Sequence, residues 1–297
     1  MVKRSILFTL LLLVLYGSYI ALFKVSPQSQ QQFQMNTVKE ENYMYTDSLM
    51  NADVILGTSM SAKIRVDMLP KNLYSLALGG QSVLDGINLV ENAGGHPKYV
   101  FIEQNSILSP ERPGLIKYLF NAPNYYRKKY LPFMRDNYQP AGQLYKAVLA
   151  PGYSGIHAFT RHIFNPTLNA IHKGRLNTVS RDEFYAEAKM RRAKIDTELV
   201  QQSFANLKVR VKELEKTGAK VCFFAMPNDK DVYTSPVAEY IRKVFADYFP
   251  QSVYTWLPES DLSQYHTIDQ IHLDDTSAVK YTRELSQKIE AVRHPAK

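Results

Sequence analysis

The stretch Asp53-Val54-Ile55-Leu56-Gly57-Thr58-Ser59 is a short apolar run that ends in Gly-x-Ser. Continuous apolar residues over so few positions read as a buried strand, and Gly57 opens a tight turn that presents a hydroxyl. The chain then alternates between strand-like and helix-like segments. A helix is expected around 62–69, stopped by Pro70, then a second strand over 73–78 and a helix over 83–93 closed by Gly94-Gly95. A third strand follows over 99–103. Further on, Ile195, Leu199, Leu207, Val211 and Leu214 recur at helical spacing up to Gly218. Then come a strand over 220–226, a helix over 237–249 and a weaker strand over 253–257. The last helix carries Ala278, Leu285, Ile289 and Val292 on one face. This alternation predicts βαβ units and a parallel five-stranded sheet, and the unbroken apolar strands predict helices on both of its faces.

Ligands of open parallel sheets sit at the carboxyl ends of the strands. Ser59 falls just past the first strand, Gly79 and Gly80 past the second, and Asn105 past the third. Asp269-Gln270-Ile271-His272 falls in the loop before the last helix. A serine hydroxyl needs a base, and an Asp three residues before a His can fix the imidazole tautomer. Ser59, His272 and Asp269 are therefore the candidate catalytic residues. The Ser59 N–H, the Gly80 N–H and the Asn105 amide are candidate donors to an oxyanion. Ser61 is a rival nucleophile. Gly57-Thr58-Ser59-Met60-Ser61 half-matches a Gly-x-Ser-x-Gly elbow but lacks the second glycine and follows the first strand.

The remaining features bound the class. Lys3 and Arg4 precede an uncharged run from Ile6 to Phe23, whose 18 residues approach the length of a membrane span. Basic residues on its N-terminal side predict a cytoplasmic start and an extracytoplasmic remainder. A cleaved signal peptide is the competing reading; no small-residue exit precedes Lys24, which favours an anchor. The expected organisation is an anchor over 1–25, a polar Gln-rich tether over 26–51 and a domain over 52–297. A Tyr-rich, largely helical insertion is expected over about 106–191. Its tyrosines (Tyr118, Tyr125, Tyr126, Tyr130, Tyr138, Tyr145, Tyr153) either stack on sugars or pack the insertion's own core. The net charge of +8 is spread along the chain with no nucleic-acid-binding pattern, so nucleic acid is not an expected partner. Cys222, the single cysteine, lies in an apolar run and reads as a small buried hydrophobe. His157, His162 and His172 are spaced by five and ten, which fits no familiar metal motif, so no metal is expected. Asp274 and Asp275 read as the cap of the last helix.

The ordered residues Gly57-Thr58-Ser59, Gly80, Asn105 and Asp269-x-x-His272 resemble the blocks of the SGNH, or GDSL-type, hydrolase family. The resemblance runs from about Asp53 to the end, the insertion apart. It implies a three-layer flavodoxin-like sandwich, Ser59 as nucleophile, Gly80 and Asn105 as oxyanion donors, His272 as base and Asp269 as its orienter, with no cofactor. Two departures stand out: Thr58 replaces the Asp of the first block, and Glu103 and Ser106 flank Gln104-Asn105 in the third. Divergence of this kind beside a membrane anchor is similar to SGNH-like proteins that modify envelope or secreted polysaccharides, some beside a multi-span membrane acyltransferase. The resemblance therefore implies an extracytoplasmic esterase or O-acyltransferase acting on acyl, chiefly acetyl, groups of a polysaccharide. A membrane-surface lipase or thioesterase and a non-catalytic scaffold of a polysaccharide assembly are the alternatives.

Overall fold

The structure, a computed structural model, describes residues 2–23, 32–105, 107–109, 111–112, 114–139 and 196–295. The expected insertion lies mostly at 140–195, so Tyr145, Tyr153, His157, His162 and His172 fall outside the described residues.

Five strands, β1 (Asp53–Gly57), β2 (Leu73–Ala77), β3 (Tyr99–Glu103), β4 (Lys220–Phe224) and β5 (Thr255–Trp256), form one all-parallel sheet in the order β2-β1-β3-β4-β5. The order turns outward on either side of β1, so the crevice between the ends of β1 and β3 is the topological switch point. Side chains alternate across the sheet. On one face Ile55, Phe101, Cys222 and Phe224 join Ala278, Tyr281, Leu285 and Ile289 of the last helix, α6 (Asp275–Arg293), in a single buried cluster. On the other face lie Val54, Leu56, Val100, Ile102 and Phe223. Helix α3 (Val83–Ala93) approaches there so closely that a Cβ on Gly86 would lie 3.1 Å from Leu56. The Phe223 ring sits 4.9 Å from Phe245 of α5 (Pro236–Tyr248), which meets Phe204 of α4 (Thr197–Lys216) at 5.4 Å. Each large apolar side chain so buried stabilises the fold by roughly 1.5–3 kcal/mol.

The helix ends follow their capping residues. Ser82 and Asp85 form a reciprocal capping box for α3, and Gly94 leaves it at φ +70°. Asp196 caps α4, Ser235 caps α5 with Pro236 behind it, and Asp274 caps α6 through the Ser277 N–H. Asp53 opens β1 by accepting the Tyr99 N–H at 2.8 Å and pairing with Arg293 at 2.8 Å. Cys222 is buried and free, and burial pushes its thiol up to about 11, as befits a core residue.

Three expectations are corrected. The helix expected over 62–69 is two 3-10 turns, Ser61–Lys63 and Val66–Met68, because the loop there is fixed to β3 by side-chain bonds. The fifth strand has only two residues, Thr255–Trp256. The polar tether contains a helix, α2 (Gln32–Tyr45), with Glu40, Glu41, Tyr43 and Met44 buried.

The chain divides into two compact units, Met1–Glu41 with Leu119–Tyr185 and Asn42–Tyr118 with Ala186–Lys297, the second holding the sheet. In the first unit, α1 (Val2–Phe23) is long and apolar enough to cross a membrane or to serve as a signal sequence. The Tyr16 hydroxyl of α1 donates to the Tyr138 carbonyl, and Gly17 faces the Phe133 ring. Lys128 is buried between Glu41 and Asp136, 2.6 Å from the latter. The described part of the expected insertion is helical at Leu115–Leu119 and Ala122–Tyr130.

Candidate active site

The register of the sheet brings the candidate residues to one edge. Gly57 pairs with Ala77, so the turn carrying Ser59 adjoins the turn carrying Gly80. Glu103 pairs with Phe224, so Asn105 adjoins Met226.

His272 lies 213 positions after Ser59 in sequence, yet its Nε2 is 2.8 Å from the Ser59 Oγ. Its Nδ1 is 2.6 Å from Asp269 Oδ2. The loop that achieves this is closed by an antiparallel bridge between Thr267 and Leu273 and by the Ile268 N–H donating to the His272 carbonyl at 2.9 Å. Gln270 turns the chain at φ +69° and its carbonyl accepts the Asp229 N–H. Asp269 Oδ1 accepts the backbone N–H groups of His272 at 2.7 Å and Ile271 at 3.1 Å, an Asx-type turn. Partial burial raises the Asp269 pKa, but the backbone and imidazole donors together outweigh it and hold the carboxyl below its usual range. An ionised carboxylate can only accept, so His272 carries its proton on Nδ1 and its Nε2 lone pair accepts the Ser59 hydroxyl proton. The His272 and Asp269 side chains remain 25% and 29% exposed, so the pair is reachable from outside.

Ser61, the rival nucleophile, is fully buried and its Oγ donates to Glu103 Oε2 at 2.5 Å. A hydroxyl spent on a carboxylate and sealed from solvent cannot meet a substrate. Glu103 also accepts the Thr58 N–H at 2.9 Å, the Thr58 hydroxyl at 3.1 Å and the Ser61 N–H at 3.2 Å. Ser59 is thus held from both flanks by one buried carboxylate. Gly57 leaves the room for it: a Cβ there would come within 2.5 Å of Ser61 and 2.7 Å of Glu103. The two departures from the resembled pattern are complementary. An Asp at 58 would set a second carboxylate against Glu103, whereas the Thr58 hydroxyl donates to it.

Of the expected oxyanion donors, Gly80 is exposed at φ +71°. Its N–H and that of Ser59 make no hydrogen bond among the described residues. Asn105 uses both ends of its amide on Met226, accepting the N–H at 2.7 Å and donating to the carbonyl at 3.0 Å. One of its two amide hydrogens is left for a ligand. Among the described residues, no cluster of His, Cys, Asp and Glu could hold a metal ion.

The sequence reading missed Glu103 as a structural element of the site. The signal for Glu103 was present: an acidic residue closing the apolar run Tyr99–Glu103 is buried with its strand and needs donors.

No family model, curated protein or solved structure matches this chain.

Proposed function

We propose that the chain is an SGNH-type serine esterase or O-acyltransferase, anchored by its N-terminal helix, that acts outside the cytoplasm on O-acyl groups of a polysaccharide. The observation that carries the reading is the continuous hydrogen-bonded series Ser59–His272–Asp269 at the carboxyl edge of a parallel sheet. The sugar substrate, the acetyl preference and the location rest on the resemblance of the ordered blocks and on the apolar helix α1.

In this mechanism the Ser59 oxygen attacks the acyl carbonyl while its proton passes to His272 Nε2. Asp269 stabilises the resulting imidazolium through Nδ1–H. The free N–H groups of Ser59 and Gly80 and the remaining Asn105 hydrogen are the donors for the tetrahedral oxyanion. Collapse breaks the ester bond, and the departing sugar oxygen takes the proton from Nε2, leaving an acyl-Ser59 ester. Water, or the hydroxyl of a second sugar, then attacks that ester with His272 accepting its proton. The oxyanion collapses, Ser59 recovers the proton, and the product is the free acid or the transferred ester.

The test is turnover of p-nitrophenyl acetate and labelling by a fluorophosphonate probe. Both are expected of the wild type and of neither Ser59→Ala nor His272→Ala. Retained turnover and labelling in a folded Ser59→Ala variant would remove Ser59 from the mechanism.

A further inference from the structure

Residues 125–134 read Tyr-Tyr-Arg-Lys-Lys-Tyr-Leu-Pro-Phe-Met. They form the helix Ala122–Tyr130 and the turn Pro132–Met134 that follows it. Apolar and aromatic groups that would ordinarily be buried stand out here: Tyr126, Tyr130 and Leu131 are 55%, 69% and 42% exposed, and Pro132 is exposed beside them. Exposed apolar residues that cluster in this way mark a surface that meets something. Arg127 and Lys129 are exposed among them. They contact Asn124 and the Tyr125 ring, and neither forms an ion pair among the described residues.

Contacts with α1 give this surface a depth. The Phe133 ring faces Gly17, and the Tyr138 carbonyl accepts the Tyr16 hydroxyl. The uncharged run 6–23 is about 27 Å long at 1.5 Å per residue, close to the ~30 Å of a bilayer core. Gly17 lies six residues before Phe23, the end of α1, so about 9 Å inside the edge of that run. A side chain against Gly17 therefore sits at the depth, roughly 5–10 Å, that interfacial segments reach. The turn meets the demand that lipid makes on a backbone, that its donors be used within the protein. The N–H groups of Leu131, Met134 and Arg135 bond to carbonyls three or four residues earlier, that of Asp136 goes to Glu41, and Pro132 has none. Lys128 is turned inward between Glu41 and Asp136, which fixes the helix and leaves only Arg127 and Lys129 as its outward charges.

We propose that residues 126–134 are a membrane-interface surface, seated in the boundary of the same bilayer that α1 crosses. Leu131 and Pro132 enter the acyl edge. Tyr126 and Tyr130 lie at the head-group level, where an apolar ring with a polar tip is at home. Arg127 and Lys129 meet the phosphates of anionic lipid. A polysaccharide is the weaker occupant, because the two tyrosine rings already cover each other, 6.2 Å apart and 6° from parallel, and Tyr125 packs its ring against Tyr126 at 5.4 Å. The proposal rests on α1 spanning the bilayer, as in the anchored reading above, and adds a second contact that holds the adjoining chain to the lipid.

The experiment places the full chain in nanodiscs of phosphatidylcholine and phosphatidylglycerol. A nitroxide is attached at Leu131→Cys, at Tyr130→Cys or at Leu12→Cys. Cys222, buried and with its thiol pushed up to about 11, stays unlabelled. Depth is read from collisions with oxygen and with a water-soluble nickel chelate. The label at 131 is expected about 5–10 Å below the phosphates, that at 130 at their level and that at 12 in the acyl core. Arg127→Glu with Lys129→Glu is expected to lift the label at 131 above the phosphates. Labels at 130 and 131 that the chelate reaches freely, a depth at 131 unmoved by the charge reversal, or labels that stay in water and are immobilised by added dextran would each overturn the proposal. The anchor is read separately at position 12. A label there in the acyl core, with 130 and 131 in water, overturns the surface and leaves the anchor standing; a label at 12 in water overturns both.

Discussion

Replacing Glu103 tests whether one carboxylate sets the nucleophile turn. Four donors converge on it, two backbone N–H groups and two hydroxyls, and the side chain is fully buried. In Glu103→Ala the hydroxyls can rotate toward other acceptors, but the Thr58 and Ser61 N–H groups cannot. Each buried N–H left unsatisfied costs about 1–3 kcal/mol, so the variant should lose about 4 kcal/mol. At about 2–4 °C per kcal/mol, its midpoint should fall by roughly 8–16 °C. Glu103→Gln should behave differently. Three of the donors meet the single oxygen Oε2, where the amide oxygen of Gln can sit. The Thr58 hydroxyl can then reverse to accept from the new NH2 group. That variant should lose only about 1 kcal/mol, the charge assistance of the bonds. Because Ser59 lies between the two clamped residues, Glu103→Ala should also lower kcat by on the order of 10²-fold, as expected for a misplacement near 1 Å. Thermal unfolding by circular dichroism and p-nitrophenyl acetate kinetics measure both. Equal losses in the two variants, or an Ala variant within 1 kcal/mol of wild type, would refute the clamp.

Asp269→Asn should lower kcat by about 10³–10⁴-fold with little change in KM, because the amide favours the wrong imidazole tautomer; ester kinetics decide it. The depressed Asp269 pKa means its carboxylate stabilises the fold above the ordinary carboxylate range, and that contribution is lost as pH falls through the depressed value. The stability gap between wild type and Asp269→Asn, from urea melts, should therefore be flat from pH 8 to about 5 and close below about pH 4. Ser61→Ala should keep fluorophosphonate labelling while losing about 1–2 kcal/mol of stability, which separates it from Ser59→Ala. Gly57→Ala should lose both labelling and stability, since its Cβ would come within 2.7 Å of Glu103 and 2.5 Å of Ser61; a soluble, labelled protein would contradict that geometry.

The sheet was legible because its strands are unbroken apolar runs and its helices carry stop and start residues in the sequence: Gly94, Gly218 and Asp274. The meeting of Ser59, Asp269 and His272 was legible for a further reason, that strand ends in a parallel sheet share one edge. What escaped was polar burial. Helix α2 reads as a Gln-rich tether because the side chains it buries include Asn36, Thr37, Glu40 and Glu41, and burial of polar groups leaves no apolar period to detect. The strand that ends in Glu103 was legible but the role of Glu103 was not, because its partners are main-chain groups and hydroxyls of a loop 42 to 45 positions away.

Shortening the chain to begin beyond Phe23 is the ordinary route to a protein that can be handled without detergent. Here it would strip the Phe133 ring of its neighbour Gly17 and the Tyr138 carbonyl of the Tyr16 hydroxyl. The leading helix thus touches residues 132–138 as well as being long and apolar enough to cross a membrane, and a trimmed protein loses both of those contacts.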